Sequence, residues 1–181
     1  MRAALELFAL NGYHGTSVDA IVRRAGVSKG LVYNYFRGKE ELLEKVIFEM
    51  IGELSEEFGR IVGGGDARTA LRRAIDLSVR MVKNDPGYWR LYWSIIMDPG
   101  LPEGIRKQVM IRYRSFVVRF EDLLRGVGVA DPRSEALVLL PTLDALGMVY
   151  LLDPEEYPLE RVKEYLIGKY CGTSSDKGAR I

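Results

Sequence analysis

Apolar residues recur every three or four positions along most of this chain, and that period predicts amphipathic helices. Two short helices are predicted near the start, the first of them beginning at Thr16 or Ser17. Longer helices are predicted over about residues 39–61, 66–83, 88–97, 103–125, 133–152 and 159–170. The expected fold is all-α, with a three-helix N-terminal domain over residues 1–45 joined to a larger helical domain over residues 46–181.

The turn between the two short helices is set by Gly26-Val27-Ser28. Gly26 is expected to end the first helix, because glycine enters the left-handed conformation without steric cost. Ser28 is expected to cap the second helix by accepting a backbone hydrogen bond. Val32 and Phe36 form the buried stripe of that helix, and Val27 is expected to fill the small core between the two. This is the pattern of a helix-turn-helix.

The second short helix leaves a group of side chains outward that suits DNA. Lysine reaches a phosphate or a guanine, asparagine reaches a base edge, and leucine or tyrosine contacts a thymine methyl group. The outward group is Lys29, Gly30, Leu31, Tyr33 and Asn34. Tyr35 is a candidate phosphate contact, and Lys39 at the next helix N-terminus is a candidate phosphate clamp. An ordinary helical packing unit shares much of this pattern, so the residues alone leave both interpretations open.

A set of residues stands at characteristic spacing between Leu5 and Leu43. Its members are Leu7-Phe8, Gly12-Tyr13, Gly15-Thr16-Ser17, Ala25-Gly26-Val27-Ser28-Lys29-Gly30, Tyr33-x-Tyr35-Phe36 and Lys39-Glu40-Glu41-Leu42. This segment, about the first quarter of the chain, closely resembles the DNA-binding domain of TetR-family transcriptional regulators. Members usually carry more residues before this point, so the start at Met1 predicts a first helix short of one turn and no basic N-terminal arm.

The resemblance implies what the protein does and which residues do it. It implies a helix-turn-helix DNA-binding domain, a helical domain that binds an effector and dimerises, and repression relieved by a small molecule. A homodimer would read a near-palindromic operator. Pattern and resemblance together predict DNA contacts at Thr16, Ser17, Ser28, Lys29, Gly30, Leu31, Tyr33, Asn34, Tyr35 and Lys39.

Charge and composition narrow the class of protein. The 181-residue chain has a net charge of +1, and residues 1–48 carry seven Lys or Arg against five Asp or Glu, a local +2. This mild split suits a site-specific binder better than a protein that coats nucleic acid. The single cysteine, Cys171, excludes an internal disulfide and a Cys-based zinc site. No apolar run is expected to reach membrane-spanning length and no signal peptide is expected, so a cytoplasmic protein without cofactor or metal is predicted.

Three other functions compete with a ligand-responsive regulator. An enzyme has little support, because the one histidine, His14, lacks a nucleophile pattern beside it and no phosphate-binding glycine loop occurs. A helical dimeric interaction module would bind neither DNA nor an effector. A DNA binder whose larger domain only dimerises would have a fully packed body.

Aromatic and methionine residues of the larger domain are candidates for an effector pocket, since such residues line adaptable cavities. The candidates are Met81, Tyr88, Trp89, Tyr92, Trp93, Met97, Met110, Tyr113, Phe116, Phe120, Asp144 and Met148. Such stripes are more often plain core. Asp144 stands among leucines, where a carboxylate needs a partner. It is expected to pair with an Arg or Tyr, to face a dimer partner or to orient a largely apolar or aromatic ligand.

The helix predicted over residues 133–152 is apolar nearly all round, so most of its surface is expected to be buried. Burial against a second copy would give a four-helix dimer interface, whereas a central position in the monomer core is the alternative. The predicted interface residues are Leu139, Leu143, Leu146, Tyr150, Val162 and Tyr165. The basic residues of the preceding helix are interpreted as a solvated face rather than a second DNA-binding patch.

Overall fold

A computed structural model describes residues 1–172, apart from the side chains of Ile95 and Ile96. Over that range the chain is all-α, which confirms the predicted fold class. The nine helices of this range are α1 (Arg2–Gly15), α2 (Val18–Ala25), α3 (Lys29–Tyr35), α4 (Lys39–Val62), α5 (Ala67–Asn84), α6 (Pro86–Met97), α7 (Glu103–Gly126), α8 (Pro132–Leu152) and α9 (Leu159–Cys171). Their ends lie within a few residues of those that the apolar period predicts.

The chain divides into two compact units. The first unit comprises Met1–Ser55 and Asp85–Arg112, and the second comprises Glu56–Asn84 and Tyr113–Ile181. Helices α4 and α7 therefore each contribute residues to both units. The predicted domain boundary after residue 45 falls inside α4, so that helix continues across it without a linker.

The core of the first unit joins the N-terminal helices to α6 and the start of α7. Phe8 and Leu43 are completely buried there, beside Ile21 of α2, Leu91 of α6 and Ile105 of α7. Helix α1 packs most extensively on α6. Its last turn also meets the end of α6, where His14 Nε2 lies 3.5 Å from Asp98 Oδ2. The helix-turn-helix is thus built on the same core as α6.

The second unit packs α5 against α8 and α9. Its fully buried side chains include Leu71 and Ile75 of α5, Leu124 of α7 and Leu139 of α8. Asp131 caps α8 by accepting from the Ser134 amide at 3.1 Å. The hydrogen bonds from Ser134 also lower the pKa of Asp131. Pro141 lies inside α8 without ending it.

The orientation of α8 differs from the one expected, both in the residues that face its own core and in the residues that are exposed. Leu139, Leu143 and Leu146, predicted for a dimer interface, are buried in the core of their own unit and cannot face a second copy. The opposite face of α8 is instead exposed and apolar, through Leu137, Val138, Val149 and Leu152. Because α8 is apolar on nearly every side, it has no polar stripe to mark its solvent-facing side, and the sequence does not show which side is buried.

Helix α8 is also long and apolar enough to cross a membrane. It has 21 residues, and its most apolar 18-residue window has a mean hydropathy of 1.6. The expectation that no apolar run reaches that length is therefore wrong by length and composition. Within the chain 33% of that window is buried, and the exposed apolar side chains of α8 include Leu137, Val138, Val149 and Leu152.

Candidate nucleic-acid interface

Local hydrogen bonds fix the turn between α2 and α3. Ser17 caps α2 by accepting from the Ala20 amide at 3.1 Å, and Ser28 caps α3 by accepting from the Leu31 amide at 3.1 Å. Gly26 lies between them in the left-handed conformation, with φ 66°. Its amide donates to the carbonyls of the last turn of α2. These three predictions are confirmed.

Two expectations around this turn are wrong. Val27 is 37% exposed and does not fill the core between the helices, since Ile21 is buried there with Val32 and Phe36 half-buried beside it. Thr16 is predicted to contact DNA, but its side chain is only 2% exposed. Its hydroxyl donates to carbonyl oxygens of α1, at 3.0 Å and 2.8 Å, so it positions the corner between α1 and α2 instead.

Helix α3 presents its outward side chains to solvent. Leu31 is 44% exposed, Tyr33 48% and Tyr35 72%, which is unusual for large apolar and aromatic residues on a seven-residue helix. Lys29, Gly30 and Asn34 are exposed as well. Apart from its chain neighbours and the nearby backbone of its own helix, no described residue places an atom within 4 Å of the position of a Cβ on Gly30, so none of them blocks close approach there. A partner surface can therefore reach this face of α3.

The Lys29 ammonium group forms an ion pair with Asp19 across the turn between α2 and α3. Its Nζ lies 2.8 Å from Asp19 Oδ1 on α2 and 6.0 Å from the centre of the Tyr33 ring. The hydrogen bond between the two groups lowers the pKa of Asp19 and raises that of Lys29. Both side chains are about half exposed, so solvent screens the pair.

Lys39 joins the start of α4 to the end of α1. Its Nζ donates to the Tyr13 carbonyl at 2.8 Å and lies 4.3 Å from the centre of the Tyr13 ring. Burial, followed by the charge of Glu40, raises the pKa of Tyr13. An ammonium group has three donors, and one of them is used here, so Lys39 is a tether as well as a candidate phosphate contact.

Comparison with known proteins identifies the family. The profile of the family described as "Bacterial regulatory proteins, tetR family" matches residues 1–46. The regulator BetI of Vibrio vulnificus (strain YJ016) is 46% identical over 153 residues, which cover 80% of this chain and 75% of that protein. The chain belongs to the TetR family of transcriptional regulators.

Two further comparisons bear on the fold of this TetR-family protein. The fatty acid metabolism regulator protein of Bacillus subtilis (strain 168) is 43% identical over 54 residues, which span 30% of this chain and only 28% of that relative. The crystal structure of FadR from Bacillus subtilis in complex with stearoyl-CoA has a TM-score of 0.80 at 22% identity. That match covers 95% of this chain and 96% of the FadR chain, so the likeness in fold extends through both units.

The sequence prediction for this TetR-family protein omits one exposed cation. Arg37 follows α3 directly, and within residues 1–172 its guanidinium makes no ion pair or hydrogen bond. Arg24, by contrast, is held by Glu6 at 2.9 Å. The available signal is the lack of any carboxylate between Ser28 and Lys39, which leaves Arg37 free to reach a phosphate.

The predicted effector residues of the TetR-family protein fall into two groups. In the first unit, Tyr88, Trp89, Tyr92 and Trp93 form a run of edge-on ring contacts along α6, each with centres 5.6 Å apart. The Nε1 atoms of both tryptophans are buried and have no hydrogen-bond partner among the described residues. Met97 and Met110 are 66% and 39% exposed, and a role for them in effector binding stays a prediction.

In the second unit, one of the remaining candidates lies in the core and the others are half-buried. Phe120 is completely buried, and its ring centre lies 5.5 Å from that of Phe58, while Phe116 meets Phe58 edge-on at 5.6 Å. Asp144 is half-buried rather than enclosed, as are Met81 and Met148. Burial, followed by the charge of Asp144, raises the pKa of Tyr113 to about 12. A role of these residues in effector binding stays a prediction.

Proposed function

We propose that this TetR-family protein is a DNA-binding transcriptional repressor that binds a near-palindromic operator as a homodimer. A small, largely apolar or aromatic ligand releases it. The exposed face of α3 supports the proposal most directly, because Leu31, Tyr33 and Asn34 project from a capped helix into solvent. Selection of bound fragments from random DNA tests it, and the symmetry of the recovered site tests the dimer.

The proposed contacts divide by chemistry. Lys29, Gly30, Leu31, Tyr33 and Asn34 are assigned to the bases. Ser17, Ser28, Tyr35, Arg37 and Lys39 are assigned to phosphates, because hydroxyl and cationic donors bond phosphate oxygens without reading sequence. Thr16 is left out because its side chain is buried.

The exposed apolar face of α8 supports the homodimer. Leu137, Val138, Val149 and Leu152 lie on that face, and α9 adds Tyr165 with 70% of its surface exposed. Two copies of this helix pair would form a four-helix interface and remove a large apolar area from water. Of the residues first predicted for the interface, Tyr150, Val162 and Tyr165 stay in the proposed set.

Val138→Glu tests that interface. Val138 is 57% exposed in the single chain, so the change costs little in the monomer. In a symmetric dimer it places two carboxylates in an apolar interface, and the dimer dissociation constant rises about 100-fold or more. Sedimentation velocity measures the shift to monomer.

Val118→Glu is the matched control for that prediction. Val118 on α7 is 49% exposed, so the same substitution is made at a similarly accessible valine. The control is expected to leave the dimer intact. A Val138→Glu protein that stays dimeric contradicts the proposed α8 interface.

The aromatic run of α6 supports an effector site. Two buried indole N–H groups without acceptors among the described residues are costly to leave unpaired, and a ligand oxygen beside them would remove that cost. Because α6 packs on α1, a ligand that favours one position of α6 would shift the N-terminal helices through differential affinity. FadR binds stearoyl-CoA, a thioester with a long apolar chain and many acceptors, and a long-chain acyl thioester is the proposed ligand class.

Titration with stearoyl-CoA tests the ligand class. Both tryptophans of the chain lie on α6, so intrinsic tryptophan fluorescence reports on that helix alone. The emission is expected to shift in a saturable manner, and the selected DNA is expected to dissociate over the same concentration range. Coenzyme A without the acyl chain is the control and should do neither. Unchanged emission and unchanged DNA binding would exclude this ligand class.

A further inference from the structure

The ion pair between Asp19 and Lys29 sets the charge at the exposed end of α3. Asp19 is the only carboxylate between Thr16 and Lys39. It stands in the first turn of α2, two residues from the Ser17 cap, and reaches across to the first residue of α3. Neither side chain is buried, so water competes for the pair at all times.

The position of Lys29 explains why the pair forms. Lys29 is the first residue of α3, where the positive end of the helix dipole disfavours a cation. The Asp19 carboxylate offsets that repulsion. When DNA approaches, a phosphate or a guanine can replace the carboxylate, but Asp19 then faces the DNA without its partner and is repelled by the phosphates.

We propose, on the basis of the DNA-binding function proposed above, that Asp19 controls when Lys29 contacts DNA. On DNA of arbitrary sequence Lys29 stays paired with Asp19, and other cations hold the complex. On the operator the base contacts of α3 draw the duplex close enough for Lys29 to leave Asp19 and bind DNA. Asp19 thus removes one cationic contact from non-specific binding, and the operator complex gains that contact only by breaking the ion pair.

Salt dependence distinguishes these two states, because each phosphate neutralised by a cation steepens the slope of log K against log salt by about 0.9. Asp19→Asn keeps the shape of the side chain and removes its charge. In the proposed homodimer the variant frees two lysines, so its slope on a random-sequence duplex is expected to be steeper by about 1.8 than that of the native protein. Lowering the salt from about 200 to about 50 mM would then strengthen its random-sequence binding about 12-fold more than that of the native protein.

On the duplex recovered by selection, the slope of Asp19→Asn is expected to equal that of the native protein, since Lys29 already binds DNA there. The affinity for both duplexes rises, because Lys29 no longer has to leave a carboxylate on either of them. Lys29→Met gives the converse test. In the proposed homodimer it is expected to flatten the slope on the selected duplex by about 1.8, whereas on random sequence no Lys29 contact is lost and the unpaired Asp19 weakens the binding.

Glu49→Gln is the matched control. Glu49 pairs with Lys45 at 3.6 Å along α4 in the same unit, so the substitution also removes one carboxylate and frees one lysine. It is expected to change neither slope. Thermal unfolding of each variant shows that the fold is retained.

The outcomes separate this inference from the function on which it rests. Equal changes of slope on both duplexes would show that Asp19 acts only as a repelling charge and would overturn the inference. Unchanged slopes for Asp19→Asn on both duplexes would overturn it as well, while DNA binding itself would stand. A native protein that binds neither duplex would refute the proposed function instead.

Discussion

Phe8→Ala is expected to unfold the first compact unit under conditions in which the native protein is stable. The ring of Phe8 is completely buried between α1, α2, α4 and α6, and its loss leaves a cavity that the packed helices cannot close. Such truncations cost about 3–5 kcal/mol, a large part of the about 5–15 kcal/mol that keeps a domain folded. DNA binding should be lost with it, since α3 is built on this core.

Urea unfolding followed by circular dichroism measures the effect. Leu10→Ala is the matched control, because Leu10 lies two residues away on α1 and is 71% exposed. It should change the free energy of unfolding by less than about 0.5 kcal/mol. If Phe8→Ala unfolds at the same urea concentration as Leu10→Ala, the packing described for the first unit is wrong.

Tyr33→Ala is expected to weaken binding to the selected duplex by about tenfold or more per α3 helix, with little change in stability. The side chain is 48% exposed and lies outside the apolar core of the first unit, so the folded protein loses almost nothing. The DNA complex loses a contact to a base. Fluorescence anisotropy with labelled duplex measures the affinity, and thermal unfolding measures the stability.

Tyr33→Phe separates the two parts of that side chain. Retained affinity would assign the contact to the ring and a thymine methyl group, whereas a loss equal to that of Tyr33→Ala would assign it to the hydroxyl. Leu10→Ala serves again as the control for loss of an exposed apolar side chain in the same unit. Equal affinities of Tyr33→Ala and Leu10→Ala would contradict a DNA-contacting role for α3.

Features governed by neighbours in the sequence are predictable. Ser17, Gly26 and Ser28 act within one helical turn, so their capping and turn roles follow from residue type and position alone. The ends of the helices can be predicted from the sequence for the same reason. The identity of the exposed residues on α3 also follows, because Val32 and Phe36 define the inward side of so short a helix.

Features governed by tertiary packing are not predictable in this way. Thr16 and Val27 each lie just outside an end of α2, yet one is buried and the other is exposed. Leu139 and Val138 are adjacent apolar residues of α8, and only the packing of α5 decides which of them faces the core. When a helix is apolar on all sides, the spacing of its apolar residues does not show which side is buried.

The pairing of charges across the turn also cannot be predicted from the sequence. The sequence pattern predicts that Lys29 contacts DNA. In the structure Lys29 forms an ion pair with Asp19, because Gly26 turns α3 back toward the start of α2. Lys39 likewise meets Tyr13 at the far end of α1. A sequence shows which cations are present, whereas the fold decides which of them are already occupied.

Amide hydrogen exchange with and without the selected duplex tests the central claim most directly, namely that the exposed face of α3 enters DNA. DNA is expected to slow exchange most strongly across α2 and α3, over residues 18–35, and to leave exchange in α5 of the second unit unchanged. Slowed exchange elsewhere, with α3 exchanging as fast in the complex as in the free protein, would contradict it.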